Sequence, residues 1–337
     1  MGIKSIYVLC PEKNKTGGTE LLHQLVYELR ENNLNATIAY IRNDGLKENP
    51  INEAFIKYVG DNYCEIEDIV DCSDNILIIP EISIEYTKKF KHIKKYVWWL
   101  SIDNYRKNFD IFFCVKNFHI KQVIKLIIGR KFRSSYNLLK KNVDVHLVQS
   151  YYAKEFLEKK RFSHINYLSD YINDIYLKKE MSIENRDNIV LYNPKKGFEF
   201  TERLIRKNPN FKWVAIENMT NQEVVNLLHK SKVYIDFGNH PGKDRFPREA
   251  AISGCCIITS KEGSAKYFED VPIDSKYKFT LEKNNIGKIS ELIREFLINY
   301  DEKIKDFQEY RDFIKGEKKQ FKEDVFQIFV ESEGKAK

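Results

Sequence analysis

The sequence predicts an α/β protein of two Rossmann-like, parallel-sheet domains. Two observations carry this. Short apolar runs alternate with helical periodicity along most of the chain, the order that builds strand–helix–strand crossovers. The alternation also comes in two series, with a break around Ser169 to Arg186 where strong periodicity lapses. At 337 residues the chain has the length for two domains of ordinary size. We place them at 1–170 and 171–337.

In the first series, "SIYVLC" reads as a buried strand and "KNKTGG" as a loop. The next stretch sets Leu21, Leu22, Leu25, Val26 and Leu29 at helical spacing, with Thr19 as the expected cap. His23 on this helix reads as a surface or packing residue. "NATIAYI" is a strand, "NILIIPEIS" a strand ending at Pro80, "YTKKFKHIK" a helix and "KYVWWLSI" a strand. Trp98 and Trp99 in that strand read as core, with sugar stacking the alternative. "VDVHLVQS" is a strand, and Ser150 begins the helix "SYYAKEFLEKK". The second series runs strand "DNIVLY", helix "FEFTERLIRKN", strand "FKWVAIEN", helix "NQEVVNLLHKS", strand "KVYIDFG", helix "PREAAISG", strand "CCIITS". The remainder is helical, with Ile289, Leu292, Ile293, Phe296 and Leu297 on one face.

Composition narrows the function classes. Apolar residues make up 42% of the chain, with 22 Phe and 20 Tyr, enough for a real core. A net charge of +7 suits an anionic ligand or a membrane surface and does not by itself argue for nucleic acid. Cys10, Cys64, Cys72, Cys114, Cys255 and Cys256 form no C-x-x-C pair and no zinc spacing, so they read as reduced and structural. The apolar run at the N-terminus is too short for a signal peptide, and no run approaches the ~18 apolar residues of a spanning helix. A cytoplasmic protein is expected, with any membrane contact peripheral. The first strand is not followed by G-x-G-x-x-G, and no G-K-[ST] loop occurs, which argues against nicotinamide dehydrogenases and P-loop NTPases.

One corner stands out. "GNHPGKDRFPREAAISGCCIITS", Gly238 to Ser260, gathers Lys243, Asp244, Arg245, Arg248 and Glu249 where a strand turns into a helix. A structural corner needs only a cap and a turn. Pro247 suits the first helical turn, since its missing N–H costs nothing there. Cations beside a helix N-terminus suit a diphosphate, most of all one gaining charge as a leaving group. Lys195 and Lys196 end the first strand of the same domain.

These stretches carry a resemblance. With "TGGTELLHQLVYEL", "LVQSYYAKEFL", "NPKKGFEFTERLI" and the charged corner, the chain resembles the GT-B glycosyltransferases. It is most similar to family 4-like enzymes of bacterial surface-polysaccharide synthesis, the makers of capsule and lipopolysaccharide. The resemblance implies two Rossmann-like domains facing across a cleft, with a C-terminal helix ("FKEDVFQIFV") crossing back. It implies transfer of a hexosyl or related unit from a nucleotide sugar to a hydroxyl of a glycan or lipid-linked glycan. The nucleotide sugar is then a substrate, and no cofactor is expected. With no D-x-D-type motif evident, no metal is expected either.

For the donor side the resemblance implies Lys195, Lys196, Glu217, His240, Gly242, Lys243, Asp244, Arg245, Arg248 and Glu249, with Glu249 accepting from ribose hydroxyls. The family's pair of glutamates lies eight positions apart, and eight before Glu249 stands Pro241. Asp244 or His240 is the substitute available from the same loop. On the acceptor side the cleft residues are Gly17, Gly18, Thr19, Ser101 and Asn104. Asp103 is read as a general base or as a helix cap; with Glu249 it completes the expected catalytic set. Residues 116–141 hold eight Lys or Arg and no acid, with Ile120, Val123, Ile124, Ile127 and Ile128 as an apolar face. That segment either lies on an anionic membrane, at the inner face of the cytoplasmic membrane, or packs on its own domain with its lysines solvated. A sugar-nucleotide epimerase and a non-catalytic sugar-nucleotide or glycan binder are the alternatives. No nucleic-acid module is evident.

Overall fold

The computed structural model describes residues 3–42, 49–117, 120–128 and 136–331. The chain divides into two compact units, Met1–Asp170 with Lys319–Lys337, and Tyr171–Lys318. Each is a parallel sheet flanked by helices.

The first unit contains β1 (Ser5–Pro11), α1 (Gly17–Glu31), β2 (Ala36–Ile41), α2 (Ile56–Val59), β3 (Tyr63–Glu65), β4 (Asn75–Pro80) and β5 (Lys94–Trp99). It continues through α3 (Ile102–Phe109), α4 (Ile111–Asn117), α5 (Ile120–Ile128), α6 (Tyr136–Asn142), β6 (Val145–Val148), α7 (Tyr151–Lys159) and β7 (Ile165–Tyr167). The sheet order is β3-β2-β1-β4-β5-β6-β7. Leu9, Leu77, Ile79, Val97 and Trp99 form its core with Leu139, Val148 and Leu157. Trp98 and Trp99 are fully buried and belong to the core.

Two local expectations shift. The cap of α1 is Thr16, not Thr19. Thr19 sits three residues on, and the two exchange bonds: Thr16 Oγ1 accepts from Thr19 N at 3.2 Å, and Thr19 Oγ1 accepts from Thr16 N at 2.9 Å. The helix expected at Tyr86–Lys94 is instead a 3₁₀ run over Glu81–Lys88. Asp71 is the reason. Its carboxylate accepts from the N–H groups of Lys91, His92 and Ile93, each at 2.8 Å, which a continuing helix would need for itself.

The second unit contains β8 (Asp187–Tyr192), α8 (Phe198–Lys207), β9 (Lys212–Ala215), α9 (Asn221–Lys230), β10 (Ser231–Asp236), α10 (Arg245–Ile252), β11 (Cys256–Ser260) and β12 (Lys278–Phe279). Then come α11 (Asn285–Ile298), α12 (Tyr300–Lys303) and α13 (Gln308–Phe326), which from Lys319 onward belongs to the first unit. The sheet order is β12-β11-β10-β8-β9. Val190, Leu191, Val233, Ile235, Ile257 and Ile258 are buried against Ile289, Ile293 and Phe296 of α11. Among the described residues no helix is long and apolar enough to cross a membrane.

Candidate functional site

In the second sheet β9 lies on one side of β8 and β10 on the other. The chain leaves β8 in one direction and later returns on the opposite side. Such a switch point opens a crevice beyond the carboxyl ends of the two strands, where ligands of open α/β sheets bind. The loops there are 193–197 after β8 and 237–244 after β10. Both were singled out in the sequence.

Glycines let these loops meet backbone to backbone. Gly197 has φ +61, and a Cβ there would strike the carbonyl of Phe237. Gly263, with φ +53, would strike the carbonyl of His240. A Cβ on Gly238 would lie 2.6 Å from Lys196 Cβ. Serines sew the same seam. Ser260 Oγ donates to Gly238 O at 2.6 Å, Ser264 Oγ to Gly242 O at 2.6 Å, and Ser264 N to His240 O at 2.9 Å. Gly242 therefore acts through its carbonyl.

Three of the corner's five charges enter two networks: Asp244 the first, Lys243 and Arg248 the second. Asp244 is the N-cap of α10, but its carboxylate makes no bond to the helix N–H groups. It turns to Lys196 Nζ at 2.7 Å and to His240 Nδ1 at 3.1 Å, both on Oδ2. His240 Nε2 lies 3.8 Å from Asp236 Oδ1. Asp236 in turn accepts from Gly238 N at 3.0 Å and from Tyr234 Oη at 2.9 Å. Burial works against the imidazolium of His240, yet Asp236 and Asp244 outweigh it and hold its pKa above the ordinary value. Burial likewise favours protonated Asp244, but His240 and Lys196 prevail and hold its carboxyl low. Asp236, His240 and Asp244 offer ligand atoms within 4.8 Å of one another, a spacing a metal ion needs. The donor set does not fit one well. Both Asp236 oxygens already accept hydrogen bonds, and the Lys196 ammonium holds Asp244.

The second network points inward. Arg248 is fully buried; its Nη1 lies 2.9 Å from Glu317 Oε2 on α13. Its Nη2 donates to Lys243 O at 2.8 Å and its Nε to Asp244 O at 3.2 Å. Lys243 Nζ pairs with Glu317 Oε1 at 2.8 Å and lies 4.8 Å from the Phe313 ring centroid. Lys243 and Arg248, read from sequence as ligand contacts, tie the corner to α13. Glu317 gave no signal of this; it lies 69 residues beyond Arg248. Lys195 is exposed at the loop tip, Arg245 is half-buried at the start of α10, Glu249 is buried one turn in, and Glu217 is exposed beyond β9.

In the first unit the switch point lies between β1 and β4. Gly17, Gly18 and Thr19 open α1 beyond β1. A Cβ on Gly18 would meet Leu100 Cδ1 at an ordinary 3.6 Å, so packing alone does not demand glycine. Ser101 caps α3 by accepting from Asn104 N at 3.2 Å, while Asn104 itself is exposed. Asp103 is buried, and Tyr152 Oη donates to its Oδ1 at 2.8 Å. It is not the cap, which is Ser101, and through Tyr152 it ties α3 to α7. Sequence reasoning missed Glu81. Just past β4, it is buried, accepts from Leu100 N at 3.0 Å, and is pushed up to about 8 by burial against the pull of its backbone bonds. A lone acid in "PEIS" gives no such signal.

The basic apolar segment is only partly described. Residues 118–119 and 129–135, with Arg130, Lys131 and Arg133, lie outside the described residues. On α4 and α5 Phe112 is 86% exposed, Ile120 75% and Ile128 73%, with Val115, Ile124 and Ile127 also exposed. Of the predicted apolar face only Val123 is buried.

No family model matches the sequence, and no curated protein matches it. Solved structures do. Sucrose-phosphate synthase from Thermosynechococcus elongatus is similar at 10% identity and TM-score 0.68, over 98% of this chain and 99% of that one. HepE from Anabaena, in complex with UDP and glucose, is similar at 8% identity and TM-score 0.61, over 98% and 99%. An alpha-glucosyltransferase in complex with UDP and a 13-mer DNA is similar at 10% identity and TM-score 0.54, over 98% of each. The likeness is one of fold: the chain has the GT-B fold.

Proposed function

We propose that the protein is a glycosyltransferase whose second unit binds a nucleotide sugar at the carboxyl ends of β8 and β10. The observation that carries this is the Lys196–Asp244–His240 cluster at the switch point, beside the N-terminus of α10. Such a corner holds a diphosphate and stabilises it as it leaves with added charge. Lys195, Lys196 and Arg245 supply the cations, and Glu249 faces the ribose. Lys243 and Arg248 fix the loop that carries them. Two of the similar structures hold UDP, which supports a uridine nucleotide as the first donor to try.

The acceptor is a hydroxyl of a glycan or lipid-linked glycan, taken at the first unit near Gly17, Gly18, Thr19 and Ser101. The exposed apolar side chains of α4 and α5, amid lysines, suit an anionic bilayer. They support a lipid-linked acceptor at the inner face of the cytoplasmic membrane, as surface-polysaccharide synthesis requires. Asp103 is positional in this scheme.

Thermal stabilisation by a panel of sugar nucleotides is the test. A ligand at about 100 times its Kd adds about 2.7 kcal/mol. Stabilisation of the wild type, reduced in Lys196→Ala, supports the site; no shift with any donor removes it. Nucleoside diphosphate released only with a glycan acceptor then identifies a transferase. An isomerised sugar nucleotide without acceptor identifies an epimerase.

A further inference from the structure

His240 is the most buried member of the Lys196–Asp244–His240 cluster. It is fully buried, and neither ring nitrogen has an aligned hydrogen-bond partner. Each faces a carboxylate instead: Asp244 at 3.1 Å from Nδ1, Asp236 at 3.8 Å from Nε2. Its backbone is pinned, since its carbonyl accepts from Ser264 N and packs on Gly263. Asp236 is pinned by Gly238 N and Tyr234 Oη. What remains variable is the proton on the ring.

That proton sets the charge that meets a ligand. With it, two carboxylates face two cations, the imidazolium and the Lys196 ammonium. Without it, Asp244 holds Lys196 alone, and one carboxylate stands unmatched beside an arriving phosphate. We propose that His240 is a positioning residue for the diphosphate: as an imidazolium it takes up the charge of Asp236 and Asp244 and so leaves Lys196 to engage a phosphate. This rests on the nucleotide-sugar reading of the site. The groups facing the ring are Asp236 from β10, Lys196 from the loop after β8 and Asp244 from the start of α10. The loop after β11 meets His240 through Gly263 and Ser264, neither of which ionises. The raised pKa of His240 agrees with the geometry. By linkage, proton and diphosphate each strengthen binding of the other.

UDP-glucose and GDP-mannose are suitable probes, because their diphosphates hold no proton near neutrality and any pH dependence belongs to the protein. Their affinities are measured by calorimetry from about pH 6 to about pH 8.5. Wild-type affinity is expected to fall about tenfold across that range. His240→Gln is expected to bind weakly throughout without that slope, while Lys195→Ala binds weakly and keeps it. If the Gln variant does not fold, histidine-selective ¹⁵N spectra of the wild type decide. The His240 ring must be an imidazolium at the acid end and hold its proton to higher pH with UDP-glucose bound. A neutral ring at the acid end, an affinity flat with pH, or a slope that survives in His240→Gln overturns the proposal alone. If neither sugar nucleotide binds the wild type at any pH, the donor reading falls and the proposal falls with it.

Discussion

Arg248 and Glu317 show how a residue's charge divides between holding a fold and meeting a ligand. Glu317 answers two buried cations, Lys243 and Arg248, at 2.8 and 2.9 Å. Removing one partner of a buried pair leaves an uncompensated charge, which costs about 3–5 kcal/mol. The loss is unequal here. Arg248→Ala leaves Glu317 its lysine, whereas Glu317→Ala removes the carboxylate that both cations share. Glu317→Ala is therefore expected to be the more destabilising in urea unfolding, and an equal or smaller effect than Arg248→Ala would contradict this pairing. The sequence brought the five charges of the corner to one place. It did not say which turn inward, because the deciding carboxylate comes from a helix far along the chain. A pair set by tertiary packing leaves no trace at local spacing. The glycine seam is similar: Gly197 and Gly263 are needed because other loops press on them, not because of their own neighbours.

At the scale of elements, strands buried on both faces were legible as apolar runs, while β3, β7 and β12 were not. These three sit at sheet edges, are two or three residues long, and read "YCE", "INY" and "KF". An edge strand needs only one neighbour and little apolar content. Helix ends were read less well than helix existence, and one hidden device explains part of it. Arg186 caps two helices from outside, donating to Leu228 O in the last turn of α9, to Ser231 O just after it, and to Ser253 O at the end of α10. Its buried charge is met by carbonyl dipoles at helix C-termini. Gly254 makes room for it: φ is +95, and a Cβ would collide with the guanidinium. Gly254→Ala is expected to cost about 2–4 kcal/mol through left-handed backbone strain and the displaced arginine. A loss within ~0.5 kcal/mol, the scale of a surface change, would deny Arg186 this role. The exposed apolar side chains of α4 and α5 call for their own test. The protein is expected to co-sediment with vesicles rich in phosphatidylglycerol and not with phosphatidylcholine alone. Phe112→Asp with Ile120→Asp is expected to abolish that; equal binding to both vesicles would rule out the electrostatic part.

At the scale of a whole folded unit, the first unit's stability against pH follows from buried groups far from the donor corner. His23 and His146 are each pushed down to about 4, chiefly by burial. Their bonds require the neutral ring. His23 Nδ1–H donates to Thr19 O at 2.7 Å, leaving Nε2 to accept from Tyr40 Oη at 2.6 Å. His146 Nδ1 accepts from Trp99 Nε1 at 3.1 Å. Between about pH 4 and pH 6.5 the unfolded chain holds more protons at these two positions than the folded one, so stability rises with pH through that window. At its acid end each histidine withholds about 3 kcal/mol. Glu81 works the other way. Folded, it keeps its proton up to about 8, whereas an unfolded glutamate loses it near 4.5. Stability therefore declines as pH rises from about 4.5 to about 8. The slopes oppose, two histidines against one glutamate, and balance where each histidine is half-titrated in the unfolded chain, about pH 6.5. The first unit should accordingly be most stable near that pH and weaken on both sides. Thermal melts from about pH 4 to about pH 9 check this. Glu81→Gln should flatten the alkaline side and steepen the acid side between about pH 4.5 and about pH 6.5, where Glu81 opposes the two histidines. A wild-type melting temperature that keeps climbing above the balance point would mean that Glu81 is ionised in the fold, its carboxylate held by Leu100 N–H and its other backbone bonds against the cost of burial.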